Sequence, residues 1–246
     1  MKGVPLWDLK HIECFIEAHI EQTDRLEQSK DKRVGIVTGI RGASVHRAIR
    51  AIGRTGHAGA INFDERADAV VACARFISRI WERWQKALSK GADLVVTTGS
   101  IRTPDTAIFN KISGTCEMTL DVRSVNTTDL ERFMGVVEEE LNNAAQETGV
   151  RFEMDPAVSI PPGMPDEKVI LRLARAAHKL GIGEQRLVSG AGHDASNLGA
   201  AGVPFAMLFI ANQNGSHNPK EAMKMADFMA AAQVLAETVM TWDEEP

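Results

Sequence analysis

The sequence predicts an α/β fold interrupted by an inserted α+β unit, and three observations carry this. Residues 33–159 alternate strand and helix signals in the order β-α-β-β-α-β. That is the ferredoxin-like unit, with two helices packed on one face of an antiparallel sheet. SIPPGMP (159–165) is a proline-rich hinge that closes the unit. VPFAMLFI (203–210) is a continuous apolar run, of the kind buried on both faces of a parallel sheet. The expected organisation is residues 1–32 and 160–246 as one α/β domain, with residues 33–159 inserted as the ferredoxin-like domain.

The elements follow from local pattern. Residues 8–18 place Ile12, Phe15 and Ile16 on one face at a short helical period. AHIEQ (18–22) then reads as a strand with His19 and Glu21 pointing the same way. RVGIVTGI (33–40) and SVHRAIRAIG (44–53) are rich in β-branched residues and read as strands. Residues 64–89 form the strongest helix pattern, with Ala67, Val70, Val71, Ala74, Ile77, Trp81, Trp84 and Leu88 three or four apart. Asp64 is its expected cap and Gly91 its stop. DLVVTTGSI (93–101) and GTCEMTLDVR (114–123) read as strands, the second alternating Cys116, Met118, Leu120 and Val122 with polar residues. Thr128 and Glu131 form a capping box for a helix running to about Thr148, stopped by Gly149. VRFEMDPAV (150–158) closes the insert, and helices are expected over 166–180, 194–201 and 222–240.

Composition limits the function classes. With 246 residues, 44% hydrophobic and 25% charged, the chain is of ordinary globular type. A net charge of −5 argues against nucleic acid or an anionic membrane as partner. No apolar run approaches the ~20 residues that span a bilayer, and MKGVPLWDLKHIE has no hydrophobic signal core, so the expected location is cytoplasmic. Cys14, Cys73 and Cys116 are widely spaced and odd in number, and read as reduced structural thiols.

Four of the seven histidines sit in unusual contexts. His19 lies between Glu17 and Glu21 on one strand face, which fits either half of a metal site or an exposed polar edge. His217, in GSHNP, sits on a loop after a buried strand, where α/β folds place their sites. His193, in SGAGHDAS, follows three small residues and precedes a helix that Asp194 is placed to cap. His57, in TGHAGA, has only small neighbours and so faces a ligand more readily than a core. Arg123 ends a strand, where its fork can grip a carboxylate or simply be solvated.

EAHIEQ, TGHAGAINFDERADA, FNKISGTCEMTLDVR, SGAGHDAS and SHNPKE occur in one order. Together they resemble the binuclear metal amidohydrolases that include N-carbamoyl-L-amino-acid hydrolases, allantoate amidohydrolases and β-ureidopropionases. Those enzymes are relatives of zinc aminopeptidases with an inserted dimerisation domain. The resemblance implies that residues 1–32 and 160–246 are part of an aminopeptidase-like catalytic domain. It implies His19 and His217 as ligands in a site for two divalent ions, zinc or manganese, with cobalt or nickel as alternatives. It implies His57 as the group that steadies the oxyanion from across a homodimer formed by the insert. Gln22, Asn110, Arg123, Gly192 and His193 would contact a small ureido acid, with Asn110 and Arg123 on its carboxylate.

The family's H-x-D ligands and paired catalytic glutamates have no counterpart in these residues. Glu138–Glu140 lie instead in the predicted insert helix. The expectation is a catalytic component completed by an N-terminal half, on a separate subunit or missing from this sequence. The alternative is an inactive homologue that dimerises and binds carboxylates.

Overall fold

The computed structural model describes residues 9–244, so residues 1–8 of the first expected segment lie outside the described residues. After a short 3-10 turn at Leu9–His11, the chain forms β1 (Phe15–Ile20), α1 (Arg25–Gln28) and β2 (Val34–Ile40). It continues through β3 (Gly42–Ile52), β4 (Gly56–His57), α2 (Ala69–Leu88), β5 (Val95–Thr97) and β6 (Ile101–Arg102). Next come β7 (Lys111–Ile112), β8 (Thr115–Ser124), α3 (Thr127–Thr148), β9 (Arg151–Met154) and β10 (Val158–Ile160). The last elements are α4 (Glu167–Lys179), β11 (Glu184–Ser189), α5 (Asp194–Ala200), β12 (Phe205–Ile210) and α6 (Met225–Met240). The chain divides into two compact units, residues 1–41 with 162–246, and residues 42–161.

In the first unit the sheet order is β1-β12-β2-β11. β12 is parallel to β1 and antiparallel to β2, and β2 is parallel to β11. β12 is buried along its whole length, as its unbroken apolar run predicts, but the sheet around it is mixed. One face, with Val34, Ile36, Ala206, Leu208 and Ile210, packs on α4 and α6. The other carries Val37, Leu187, Phe205, Met207 and Phe209, and α5 lies against β1 and β12 on that side.

Two expectations are corrected here. The helical period over 8–18 gives way to a strand, because Phe15 and Ile16 pack on opposite faces of the sheet, which only a period of two allows. The strand at 34–40, expected in the insert, belongs to this sheet between β12 and β11. The boundary therefore falls at Arg41/Gly42 and Pro161/Pro162. Reciprocal backbone bonds between Ile40 and Gly163, 2.8 and 3.0 Å, tie the two passages of the chain together.

Close packing at Gly183 allows no side chain. A Cβ there would stand 1.8 Å from the Asp31 carbonyl oxygen. Gly183→Ala should lower stability by about 1–3 kcal/mol, as overpacking does. Urea denaturation checks this, and an unchanged midpoint contradicts it.

The second unit has the antiparallel strand order β10-β3-β8-β5, with β9 also on β3 and β6 on β8. The backbone order of β3-α2-β5-β8-α3-β9 is the β-α-β-β-α-β arrangement predicted from sequence. Cys116, Met118, Leu120 and Val122 of β8 are buried against α2 and α3, as their alternation requires. Both helix caps differ from expectation. α2 starts after Asp68, whose carboxylate accepts from the amides of Val70 and Val71. α3 starts after Asn126, whose side chain accepts from Thr128 and Asp129. Gly149 ends α3 at φ 65°, the left-handed conformation that glycine tolerates. The Glu139 and Glu140 carboxylates on α3 are held by Arg83 of α2, so this acidic run is structural.

Candidate metal centre

β1 alternates its side chains across the sheet, so Glu17 and His19 share one face with Phe15. In register beside them on β12 are Met207 and Phe209. α5 brings His193 over this face from its N-cap position. The His19 and His193 rings meet edge-on with centroids 4.7 Å apart, and His193 also lies against Phe209 at 5.9 Å. One ligand atom each from Glu17, His19 and His193 falls within 4.8 Å of the others.

Hydrogen bonds orient all three groups. His19 Nδ1 donates to the Ile20 carbonyl at 2.7 Å, which leaves Nε2 with its lone pair. Glu17 Oε2 accepts from the Ala195 amide at 2.7 Å, so this carboxylate serves the first turn of α5. Asp194, the cap expected from sequence, instead occupies the first helical position. Ser189 Oγ and His193 Nε2 share a hydrogen bond of 2.6 Å, and the same hydroxyl accepts from the Ala191 amide at 3.2 Å. His193 Nδ1 then faces Glu17 Oε1 at 3.8 Å. The sequence reading gave His193 to substrate. In this structure the ring is buried, with Nε2 at Ser189 and Nδ1 facing Glu17.

Burial, and then the charge of His19, pushes the His193 imidazole down from 6.5 to about 4, with Asp194 opposing. The ring is neutral at physiological pH, as a ligand must be. A lowered folded-state value means that the unfolded chain takes up the proton first. Stability is therefore complete above about 6.5 and falls as pH drops towards about 4. Each pH unit in that window costs about 1.4 kcal/mol for this group. In the metal-free chain, His193→Asn should remove that part of the pH dependence of thermal unfolding. A slope equal to the parent's contradicts a buried neutral ring.

The loop after β12 is stitched to the end of β1. Asn212, fully buried, accepts from the Gln22 amide at 2.9 Å and donates to the Gly215 carbonyl at 2.7 Å. Gln22, Asn214 and His217 have φ of 68°, 63° and 60°, and they are the non-glycine residues with positive φ among the described residues. Such backbone strain is retained where the surroundings over-determine it, and it gathers at functional sites. His217 is not one of the three close ligand groups. Its amide donates to Glu221 at 3.0 Å, and Ser216 donates to the same carboxylate at 2.7 Å. The Ser216 bond, then the His217 amide, and more weakly the charges of His217 and His19, hold the Glu221 carboxyl below its ordinary value. Glu221 therefore feels both histidines that the sequence marks as ligands.

Glu21, the second carboxylate flanking His19, is spent on structure. It is buried, accepting from the Leu26 amide at 2.8 Å and from Thr23. Gly192 is exposed, and a Cβ there would meet nothing within 4 Å, so this turn is open to a ligand. Glu17, Ser189 and Glu221 were not assigned roles from sequence. Glu17 had a signal in the alternation Glu-x-His, whereas Ser189 and Glu221 act through contacts that only the fold creates.

In the second unit, His57 and Asn110 lie together. The β4–β7 ribbon pairs His57 with Lys111, and the Ala58 amide donates to the Asn110 carbonyl at 2.9 Å. Arg123 is not with them. The ribbon leads off the end of β8 where Ile52 faces Thr115, while Arg123 faces Ala43 and Val95 at the other end. That is roughly 25 Å along the strand at about 3.3 Å per residue. The Arg123 fork is engaged by Asp121, with Nη2 to Oδ2 at 2.7 Å.

The donor set of two imidazoles and one carboxylate suits a single divalent cation of the zinc type, and three protein ligands is the usual count for a catalytic ion. These residues alone do not hold two.

A family model described as peptidase family M20/M25/M40 matches residues 4–241. An N-carbamoyl-L-amino-acid amidohydrolase of Pseudomonas sp. (strain NS671) is 31% identical over 238 residues, covering 95% of this chain and 54% of that protein. An allantoate amidohydrolase of Bacillus subtilis (strain 168) is 32% identical over 211 residues, covering 85% of this chain and 50% of that one. A solved amidase of the hydantoinase/carbamoylase family from Burkholderia multivorans superposes with a TM-score of 0.83 at 26% identity, over 94% of this chain and 55% of that one. The chain spans about half the length of the curated relatives it matches.

Proposed function

Because the chain belongs to peptidase family M20/M25/M40, we propose that it is a component of a metal-dependent amidohydrolase cleaving the linear C–N bond of a ureido acid. An N-carbamoyl amino acid or allantoate is the substrate class, after the relatives' names. The observation that carries the reading is the meeting of Glu17, His19 and His193 beside a strained loop bearing His217.

A divalent cation bound there supplies Lewis-acid polarisation of the ureido carbonyl and a water of lowered pKa. His19 offers Nε2, its tautomer fixed by the Ile20 carbonyl. His217 serves a second ion of the pair, with zinc or manganese preferred and cobalt or nickel as substitutes. The remaining ligands and the general base come from sequence matching the other half of the relatives, on this polypeptide or on a separate subunit. Gln22 and the open turn at Gly192 border the substrate. His57 and Asn110 enter from a second copy of the chain through the insert, His57 donating to the developing oxyanion. Arg123 joins Asn110 on the substrate carboxylate from the same second copy, exchanging Asp121 for it.

No helix among the described residues is long and apolar enough to cross a membrane. The test is release of ammonia from N-carbamoyl amino acids and from allantoate by metal-loaded protein, with and without a polypeptide matching the other half. Metal-dependent turnover in the complete assembly is expected. Metal uptake without turnover there would overturn the reading in favour of a binding module.

A further inference from the structure

We propose that Asn212 is a positioning residue that ties the placement of Gln22 to that of His217. Its side chain is fully buried, and both ends are used. Oδ1 accepts from the amide of Gln22, 190 residues away in sequence, at 2.9 Å, and Nδ2 donates to the Gly215 carbonyl at 2.7 Å. One side chain thus joins the turn that ends β1 to the loop that follows β12. Among the described residues no other side-chain hydrogen bond crosses between these two loops. An alanine here would leave the Gln22 amide and the Gly215 carbonyl without this partner.

The backbone around the link is held in an unfavourable form. Gln22, Asn214 and His217 have positive φ, and Gly215 between the last two has φ 67°. An L side chain crowds the backbone there, so the form persists only where the surroundings over-determine it. The loop supplies part of that restraint itself. Gln213 and Ala222 exchange backbone bonds of 2.7 and 3.3 Å at its base. Asn214 Nδ2 donates to the Lys220 carbonyl and Asn218 Nδ2 to the Asn214 carbonyl, both at 2.8 Å. Those bonds fix the loop's shape but not its position relative to β1, which Asn212 sets. By holding the Gly215 carbonyl it orients the peptide that leads into Ser216, and Ser216 and His217 then reach Glu221 together. The value of this placement to catalysis rests on the hydrolase reading, in which Gln22 borders the substrate and His217 serves the second ion. The coupling itself does not, and its test reads no turnover, so the two can fail separately.

The experiment is amide hydrogen exchange, followed by NMR, on the full chain and on Asn212→Ala. Loss of the direct bond should speed exchange at Gln22 at least about tenfold. The His217 amide is bonded to Glu221 and not to Asn212. It should nevertheless speed up by a similar factor, while Leu208 in β12 stays within about threefold of the parent. Faster exchange at Gln22 with His217 at the parental rate would reduce Asn212 to a local contact and overturn the proposal, as would parental rates at both. Where Asn212→Ala does not fold, or Leu208 speeds up equally, the unmutated chain decides. There the protection of the Gln22 and His217 amides should differ by less than about tenfold and fall together as urea is added, as in one cooperative unit. A larger difference, or separate responses to urea, would overturn the coupling.

Discussion

If the chain completes the proposed hydrolase, replacing His57 by alanine is expected to lower kcat of that assembly by on the order of 10²–10³ while leaving KM within about threefold. The reason lies in how the ring is held. His57 is exposed on the β4–β7 ribbon, and its Nδ1 accepts from the Gly59 amide at 3.1 Å. The proton of the neutral ring is therefore on Nε2, which points a donor away from the backbone. A donor that meets the oxyanion only in the transition state raises kcat and not substrate affinity. Steady-state kinetics on the reconstituted enzyme, with sedimentation confirming an unchanged assembly, checks this. A loss of less than about threefold removes His57 from the oxyanion role.

Phe76→Ala should cost the second unit about 3–5 kcal/mol. Phe76 is fully buried on α2, in the core that β3, β8 and α3 share, with the Phe152 ring centroid 6.4 Å away. Removing the ring leaves a cavity in a close-packed core on helices and strands, which collapse only partly to fill it. Trp81 and Trp84 are both on α2, so in a chain with Trp7 and Trp242 replaced by phenylalanine their fluorescence reports this unit. Trp84 is anchored by its bond to the Leu94 carbonyl at 2.9 Å. Denaturant titration should show the tryptophan transition moving strongly to lower concentration. A shift equivalent to less than about 1 kcal/mol contradicts the packing described.

What could be read from the sequence follows from how local the cause is. α2 and β8 were legible because each buries one face, so period 3.6 and period 2 are written into their apolar positions. β12 was legible as a run buried on both faces, but its antiparallel pairing with β2 was not, since burial carries no direction. The stretch around Phe15 misled because a strand between two cores shows apolar residues at adjacent positions, which imitates a helical stripe. The cap of α2 was misplaced by one turn because Asp64 and Asp68 carry the same local signal, and the 3-10 turn at Phe63–Glu65 decides between them. At the site, His19 was marked by its flanking carboxylates. His193 was marked by its small neighbours, yet its inward orientation depends on Ser189 and on Glu17, 176 residues earlier in sequence and brought close by α5. Glu17 and Glu21 carry the same alternation signal, and what separates them is that Glu21 lies just beyond β1 and is taken up by Thr23 and the Leu26 amide.

The central claim is that His19 lies at a metal centre formed at the carboxyl ends of β1 and β12. Anomalous diffraction at the zinc edge, from crystals of the chain grown with zinc, tests it most directly. The strongest peak should lie about 2.0–2.1 Å from His19 Nε2, with Glu17 and His193 around it. A zinc-loaded crystal whose strongest peak sits elsewhere, with His19 Nε2 bare, would contradict the account.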